Sequence, residues 1–260
     1  MKIAVSSVCW WSDTLPDICR KAAAAGFTAL EPLMFPKEIF PLHGDLRDIS
    51  PAQLTRLLGD HGLTLAALHI AALWTDTPER ARALTDYLLR TIDAAEETGC
   101  NLVVVGGPER HARHPFRPFL EALEKVAPRL DGRQVVIGLE NHYRNWIETP
   151  ADYDHIFDYV PHPRIGMTLD TGHFASAGAD PVKVAETYFD KVVHVHIKDH
   201  KGHDSMPLGR GDVDIPAVVR ALKARGYNGW LTQEIEVAGR FDVDQSAAEG
   251  YPYMRTLLQL

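Results

Sequence analysis

Short apolar, β-rich runs recur along the 260-residue chain at 3–8 (IAVSSV), 27–31 (FTALE), 63–69 (LTLAALH), 101–105 (NLVVV), 134–140 (QVVIGLE), 164–170 (RIGMTLD), 192–197 (VVHVHI) and 230–235 (WLTQEI). Amphipathic stretches alternate with them near 14–25, 51–61, 78–98, 115–130, 150–159, 180–190, 214–225 and 243–259. Strands and helices alternating at this spacing predict βαβ units and a parallel sheet. Eight units with none left over predict a closed α/β barrel of (β/α)8 type, one domain over 1–260. Such barrels typically take about 250 residues. The rival is an open doubly wound sheet, which usually carries a glycine-rich turn after its first strand. Here that turn reads Ser6-Ser7-Val8-Cys9-Trp10, without glycine.

Helix boundaries are marked locally. Ser50-Pro51 and Thr149-Pro150 each place a capping hydroxyl before a proline suited to the first helical position. Gly26, Gly62, Gly99 and Gly226 follow helical stretches, where a left-handed cap is favoured.

The unusual polar residues sit at the C-terminal ends of strands, where barrels of this kind place their chemistry. The later strands end in Gly138-Leu139-Glu140-Asn141-His142, Thr168-Leu169-Asp170-Thr171-Gly172-His173, His194-Val195-His196-Ile197-Lys198-Asp199 and Leu231-Thr232-Gln233-Glu234-Ile235-Glu236. Side chains alternate between the two faces of a strand. If Val193, Val195 and Ile197 face the helices, then His194, His196 and Lys198 face the barrel axis. The same parity turns Glu140, Asp170 and Glu234 inward, against Leu139, Leu169 and Gln233. Four consecutive strands thus send Glu140, Asp170, His196 and Glu234 to one rim. Three neighbouring carboxylates repel one another and tend to take up protons, and a divalent cation relieves that strain. One imidazole with three carboxylates suits Mn²⁺ best, with Mg²⁺, Co²⁺ or Zn²⁺ as alternatives. The competing reading is a set of ion pairs with Lys198, Arg210 or nearby histidines.

Composition narrows the choice. Formal net charge is −8, with 45% hydrophobic and 24% charged residues. No basic run offers the phosphate-neutralising face of a nucleic-acid binder. Cys9, Cys19 and Cys100 form no CxxC pair, so neither a disulfide framework nor a thiolate zinc site is indicated. No apolar stretch reaches the roughly 18 residues of a membrane span. Met1-Lys2-Ile3-Ala4-Val5 runs directly into a strand, unlike a signal peptide. The expectation is a cytoplasmic protein that binds neither nucleic acid nor membrane; a homo-oligomer is left open.

The segments LENH (139–142), LDTGH (169–173), HVHIKD (194–199), PLGRGDVD (207–214) and GWLTQEIE (229–236), in this order, resemble the xylose-isomerase-like TIM-barrel superfamily. The N-terminal half matches in architecture, with Glu31 and His69 at strand ends. That superfamily includes sugar isomerases, ketose 3-epimerases, inosose dehydratases, 3-dehydroshikimate dehydratases and endonuclease IV-type repair enzymes. The resemblance implies that Glu140, Asp170, His196 and Glu234 hold the metal and that His173 and Lys198 touch substrate. It also implies that Glu140 and Glu234 double as acid and base on a sugar or polyol ketone, forming an enediolate. Isomerisation or epimerisation is the leading expectation, and dehydration of an inosose or dehydroshikimate-type substrate is the alternative. A non-catalytic binding protein ranks below both. A repair nuclease fits poorly, because Val105-Gly106-Gly107-Pro108 stands where that branch carries a histidine.

Other residues carry two readings each. His69 is a substrate contact or a satisfied strand-end histidine, and His194 is a packed or supporting group. His142 supports Glu140 or sits in a loop. Lys198 holds a substrate oxygen or neutralises Asp199. Arg210, in Gly209-Arg210-Gly211, binds an anionic substrate group or lies in a surface turn. Trp10, Trp11, Phe35, Trp74 and Trp146 could wall a sugar pocket or serve as ordinary packing.

Overall fold

A computed structural model of the chain describes residues 1–70, 77–110, 116–237 and 239–259. Trp74 therefore lies outside the described residues. The chain runs through β1 (Lys2–Ser6), α1 (Leu15–Ala24), β2 (Ala29–Glu31), α2 (Pro51–Gly59), β3 (Thr64–Leu65), β4 (Leu68–Ile70) and α3 (Pro78–Thr98). It continues through β5 (Leu102–Gly106), α4 (Arg117–Val126), β6 (Val136–Glu140), α5 (Pro150–Tyr159) and β7 (Ile165–Asp170). Next come α6 (Thr171–Ser176), α7 (Pro181–Thr187) and β8 (Val192–Ile197). A small antiparallel hairpin follows, β9 (Asp199–Lys201) with β10 (Asp204–Met206), then α8 (Ile215–Ala224), β11 (Trp230–Gln233) and α9 (Val243–Leu257). Neither the hairpin nor α6 was expected from the hydrophobic pattern.

The main sheet is parallel and runs β3-β2-β1-β11-β8-β7-β6-β5-β4. Its two ends, β3 and β4, are pieces of one barrel strand, so the sheet closes into the expected (β/α)8 TIM barrel. Backbone bonds from Ala66 N to Leu30 O (2.9 Å) and from His69 N to Pro32 O (3.1 Å) carry that strand along β2 and the residues after it. The break has a parity cause. Thr64 pairs beside Ala29 and His69 beside Val104, an odd number of steps apart. Regular alternation cannot turn both inward. The irregular step at Ala66–Ala67 absorbs the difference, and both alanines join clusters set apart from the main core.

A second irregularity corrects the sequence reading. Val193 was expected to face the helices with Val195 and Ile197. Met167 instead pairs beside Val192 and Thr168 beside His194, two steps on β8 against one on β7. Val193 is the additional residue of this bulge, and it packs with Ala67, Leu102 and Val104 on the barrel floor. Two glycines make room for it: a Cβ on Gly138 would lie 3.1 Å, and one on Gly166 2.6 Å, from a Val193 methyl.

Outside the sheet, Val135, Ile137, Leu139, Leu169, Val195, Ile197 and Leu231 join the continuous core shared with the helices. Ser50 caps α2 with a reciprocal pair to Gln53. At α5 Thr149 is the cap and Pro150 opens the helix, as expected, with Asp152 closing a capping box. The Asp152 carboxylate accepts from the Thr149 amide (2.7 Å) and from the Thr149 hydroxyl (2.9 Å). Gly26, Gly62, Gly99 and Gly226 take φ of 95°, 70°, 72° and 86°, the left-handed caps expected of them. Among the described residues, no helix is long and apolar enough to cross a membrane.

Candidate metal centre

Closure of the barrel sets the four expected ligands side by side. Asp170 ends β7 directly beside His196 of β8, and Thr232 of β11 pairs on the other side of His196. Glu140 ends β6, and Glu234 follows β11 by one residue. All four are buried. His196 Nδ1 lies 2.6 Å from Glu140 Oε1, 3.2 Å from Glu234 Oε2 and 3.9 Å from Asp170 Oδ2. One ligand atom from each residue falls within 4.8 Å of the others.

A supporting ring surrounds them. His196 Nε2 donates to Glu31 Oε1 (2.8 Å), and His194 Nε2 donates to Glu31 Oε2 (2.6 Å). His69 bridges Glu31 and Glu140, with each ring nitrogen 3.2 Å from a carboxylate oxygen. Lys198 is fully buried and donates to Glu234 Oε1 (2.8 Å), Glu236 Oε2 (2.9 Å) and His173 Nε2 (2.9 Å). Asp170 is held at both ends: Oδ1 accepts from His173 N (2.7 Å), and the Asn141 amide bonds both backbone groups of Asp170 (2.8 and 3.0 Å).

The electrostatics follow from burial. Burial pushes the Asp170 carboxyl up to about 7; Lys198 opposes this, and Glu234 and Glu140 add to it. Burial also disfavours charge on Glu140, yet His196 and His69 overcome it and hold that carboxyl well below the usual range. The same contest on His196 also favours the charged form, with the shift in the opposite direction. Glu31, Glu234 and Glu140 outweigh burial and keep the ring protonated well above its ordinary pKa. Burial, with His142 and Lys198, keeps His173 neutral.

The residues fit a divalent ion. Asp170 Oδ2 and Glu234 Oε2 are buried without a hydrogen-bond partner, although both lie within 4 Å of His196 Nδ1. Unpartnered buried carboxylate oxygens are costly. A bound ion would replace the imidazolium proton as the positive charge at these oxygens, so the ring would release that proton to act as a ligand.

The structure thus gathers Glu140, Asp170, His196 and Glu234, and it brings His69, His173 and Lys198 into contact with them. Arg210 is not part of the group: half exposed, it pairs with Glu249 of α9 (2.7 Å). Asp199 does not pair with Lys198; it accepts the backbone amides of Gly209, Gly211 and Val213 and so shapes the loop after the hairpin. His142 bonds the Tyr143 carbonyl (2.8 Å) and packs against the His173 ring (3.8 Å) rather than bonding Glu140. Trp10 and Phe35 are buried, and the Trp10 indole donates to Asp244 (2.7 Å). Trp146 stacks on Phe116. Trp11 is half exposed against Phe40 (4.2 Å between rings). Sequence reasoning left Glu31 and Glu236 without roles. Their partners, His194 and His196 for one and Lys198 for the other, are visible only once the barrel closes.

The chain belongs to the xylose isomerase-like TIM barrel family, whose model matches residues 19–257. It is similar to the rhizopine catabolism protein MocC of Rhizobium meliloti, at 27% identity over 91% of this chain and 82% of that one. It is also similar to the inosose dehydratase of Geobacillus kaustophilus, at 22% identity over 97% of this chain and 90% of that one. Among solved structures, L-ribulose 3-epimerase superposes with a TM-score of 0.80 at 23% identity, covering 100% of this chain and 95% of that one. A protein named IOLI, solved with a bound zinc atom, superposes with a TM-score of 0.77 at 18% identity, covering 99% and 98%. At these identities the structural matches establish the fold.

Proposed function

We propose that this chain is a divalent-metal-dependent isomerase or epimerase acting on a sugar or sugar-like ketone through an enediolate. The observation that carries the reading is the buried set Glu140, Asp170, His196 and Glu234, with unpartnered oxygens on Asp170 and Glu234. These four residues would hold the ion, with Mn²⁺ expected. Bound there, it supplies a Lewis acid for a ketone oxygen and its neighbouring hydroxyl. Glu234 removes the proton from the carbon beside the carbonyl, and the C–H electron pair becomes the enediolate double bond. Lys198 donates to Oε1 of Glu234 and so fixes the orientation of that carboxylate. For epimerisation Glu140, on a different strand, enters the cycle protonated and delivers its own proton to the opposite face, while Glu234 passes the proton it took to solvent; for isomerisation the proton held on Glu234 is delivered to the neighbouring carbon. His69, His173 and Lys198 orient substrate hydroxyls.

A second reading is favoured by two observations: the end-to-end likeness to an inosose dehydratase, and the pairing of Lys198 with His173 beside Glu234. In that reading the same enediolate expels a β-hydroxyl, and the Lys198–His173 pair supplies the departing proton. Incubating metal-loaded protein with ketohexoses and with an inosose in D₂O separates the two. Deuterium on carbon in an isomer of the substrate supports the first, and a product lighter by one water supports the second. Neither exchange nor loss of water from any of these ketones would sink the enzymatic reading.

A further inference from the structure

We infer that Glu31 is a positioning residue that turns His196 toward the ion through Nδ1. This rests on the metal reading above and adds a residue to it.

Glu31 ends the short strand β2, beside Ser6 of β1, and is fully buried. Its two oxygens take Nε2 of His196 and Nε2 of His194. With Nε2–H committed to a carboxylate, the proton the imidazolium gives up to an ion is the one on Nδ1, which leaves the lone pair there. Nδ1 is the atom that faces Glu140, Glu234 and Asp170. A carboxylate behind a ligand histidine fixes the tautomer and the ring plane and raises the basicity of the ligand nitrogen. His194 has its own function here. Its ring, with Nε2 also 3.2 Å from Thr232 Oγ1, occupies the second oxygen of Glu31 and stops that carboxylate from swinging toward the ion. The competing arrangement makes Glu31 a direct ligand, since Glu31, His69, His196 and Glu234 also converge closely enough to hold an ion.

The test compares wild type, Glu31→Gln and Asp170→Asn by Zn²⁺ affinity in chelator competition and by ¹⁵N NMR of histidine-labelled, Zn²⁺-loaded protein. A glutamine cannot accept from both imidazoles, so Glu31→Gln should weaken Zn²⁺ binding by about 10- to 100-fold. The His196 Nε2–H signal should shift as well, and Asp170→Asn should lose the ion. An affinity within about twofold of wild type, with that signal unmoved, overturns the inference. So does an ion lost from Glu31→Gln but kept by Asp170→Asn, which would make Glu31 a ligand. If Glu31→Gln does not fold, His194→Asn frees the second oxygen and is judged the same way: weakened affinity supports the role, and unchanged affinity overturns it. A wild type that takes up no Zn²⁺ overturns the centre itself, a failure distinct from an unaffected Glu31→Gln.

Discussion

On the floor of the barrel, Ala4, Ala29 and Ala66 pack with Trp230, and Ala67, Leu102 and Val104 pack around Val193. A few residues further along the same strands, Glu31, His69, Glu140, Asp170, His196 and Glu234 crowd the rim. Both layers are buried. The floor is apolar, whereas the rim holds charges, two of them with a carboxylate oxygen that accepts no hydrogen bond. Close packing stabilises the floor with no further requirement. At the rim His196 and its neighbours hold Glu31 and Glu140 as anions, whereas Asp170 stays strained, which is how a site selected for function over stability is expected to look. The comparison teaches that adjacent layers of one barrel can be tuned in opposite directions, because each side chain of a strand belongs to only one layer.

The sharpest way to break this contrast is Asp170→Asn. Elemental analysis should find the bound ion lost, and turnover should fall to background. The metal-free fold should behave in the opposite sense. Asp170 titrates near 7 in the folded chain against an ordinary 3.8, so folding takes up a proton. The resulting penalty on wild type is absent below about pH 4, grows as pH rises toward 7 and is level above it. Melting curves of the two metal-free proteins should therefore diverge over that window, with the variant the more stable at pH 8. Identical curves would mean that Asp170 is not strained.

Glu234→Gln is next in size. Deuterium exchange into substrate should drop by about 10²- to 10⁴-fold, with an ion still bound at higher concentration. Full exchange at full occupancy would remove Glu234 from the chemistry. Gly166→Ala probes the floor. Its Cβ would lie 2.5 Å from the Lys191 carbonyl and 2.6 Å from Val193. Denaturant titration should show a loss of about 1–3 kcal/mol, with metal affinity unchanged in the folded fraction. A selective loss of affinity instead would show the layers to be coupled. Smallest is Arg210→Ala, a surface ion pair. Stability should stay within about 0.5 kcal/mol of wild type and metal uptake should be unaltered; a large loss of activity would return Arg210 to the substrate site.

The eight-unit rhythm was legible because each strand is apolar and short and most helices end at a marked cap. The proposed ligands were legible because Glu140, Asp170, His196 and Glu234 each interrupt an apolar alternation at a strand end. The parity argument failed at Val193, where the ladder slips a step, and the single strand read at 63–69 breaks at Ala66–Ala67, since an irregular step leaves the residue types around it unchanged. Glu31 was visible as a strand-end carboxylate but not as the partner of two histidines more than 160 positions away. Lys198 was read as a substrate contact, with its sequence neighbour Asp199 as the alternative partner, whereas closure pairs it with Glu234 and Glu236.

The extra residue at Val193 works as a slip joint between two lengths of β8. Below it, the strand is pitched to fill space. Above it, the strand is pitched to keep His194 and His196 in phase with Glu31 and Asp170. A strand without that slack would have to meet both demands on a single pitch, and any change in floor volume would slide the imidazoles out of phase. With the slack taken up at one residue, Val193 fills the floor while His194 and His196 fall beside Thr168 and Asp170.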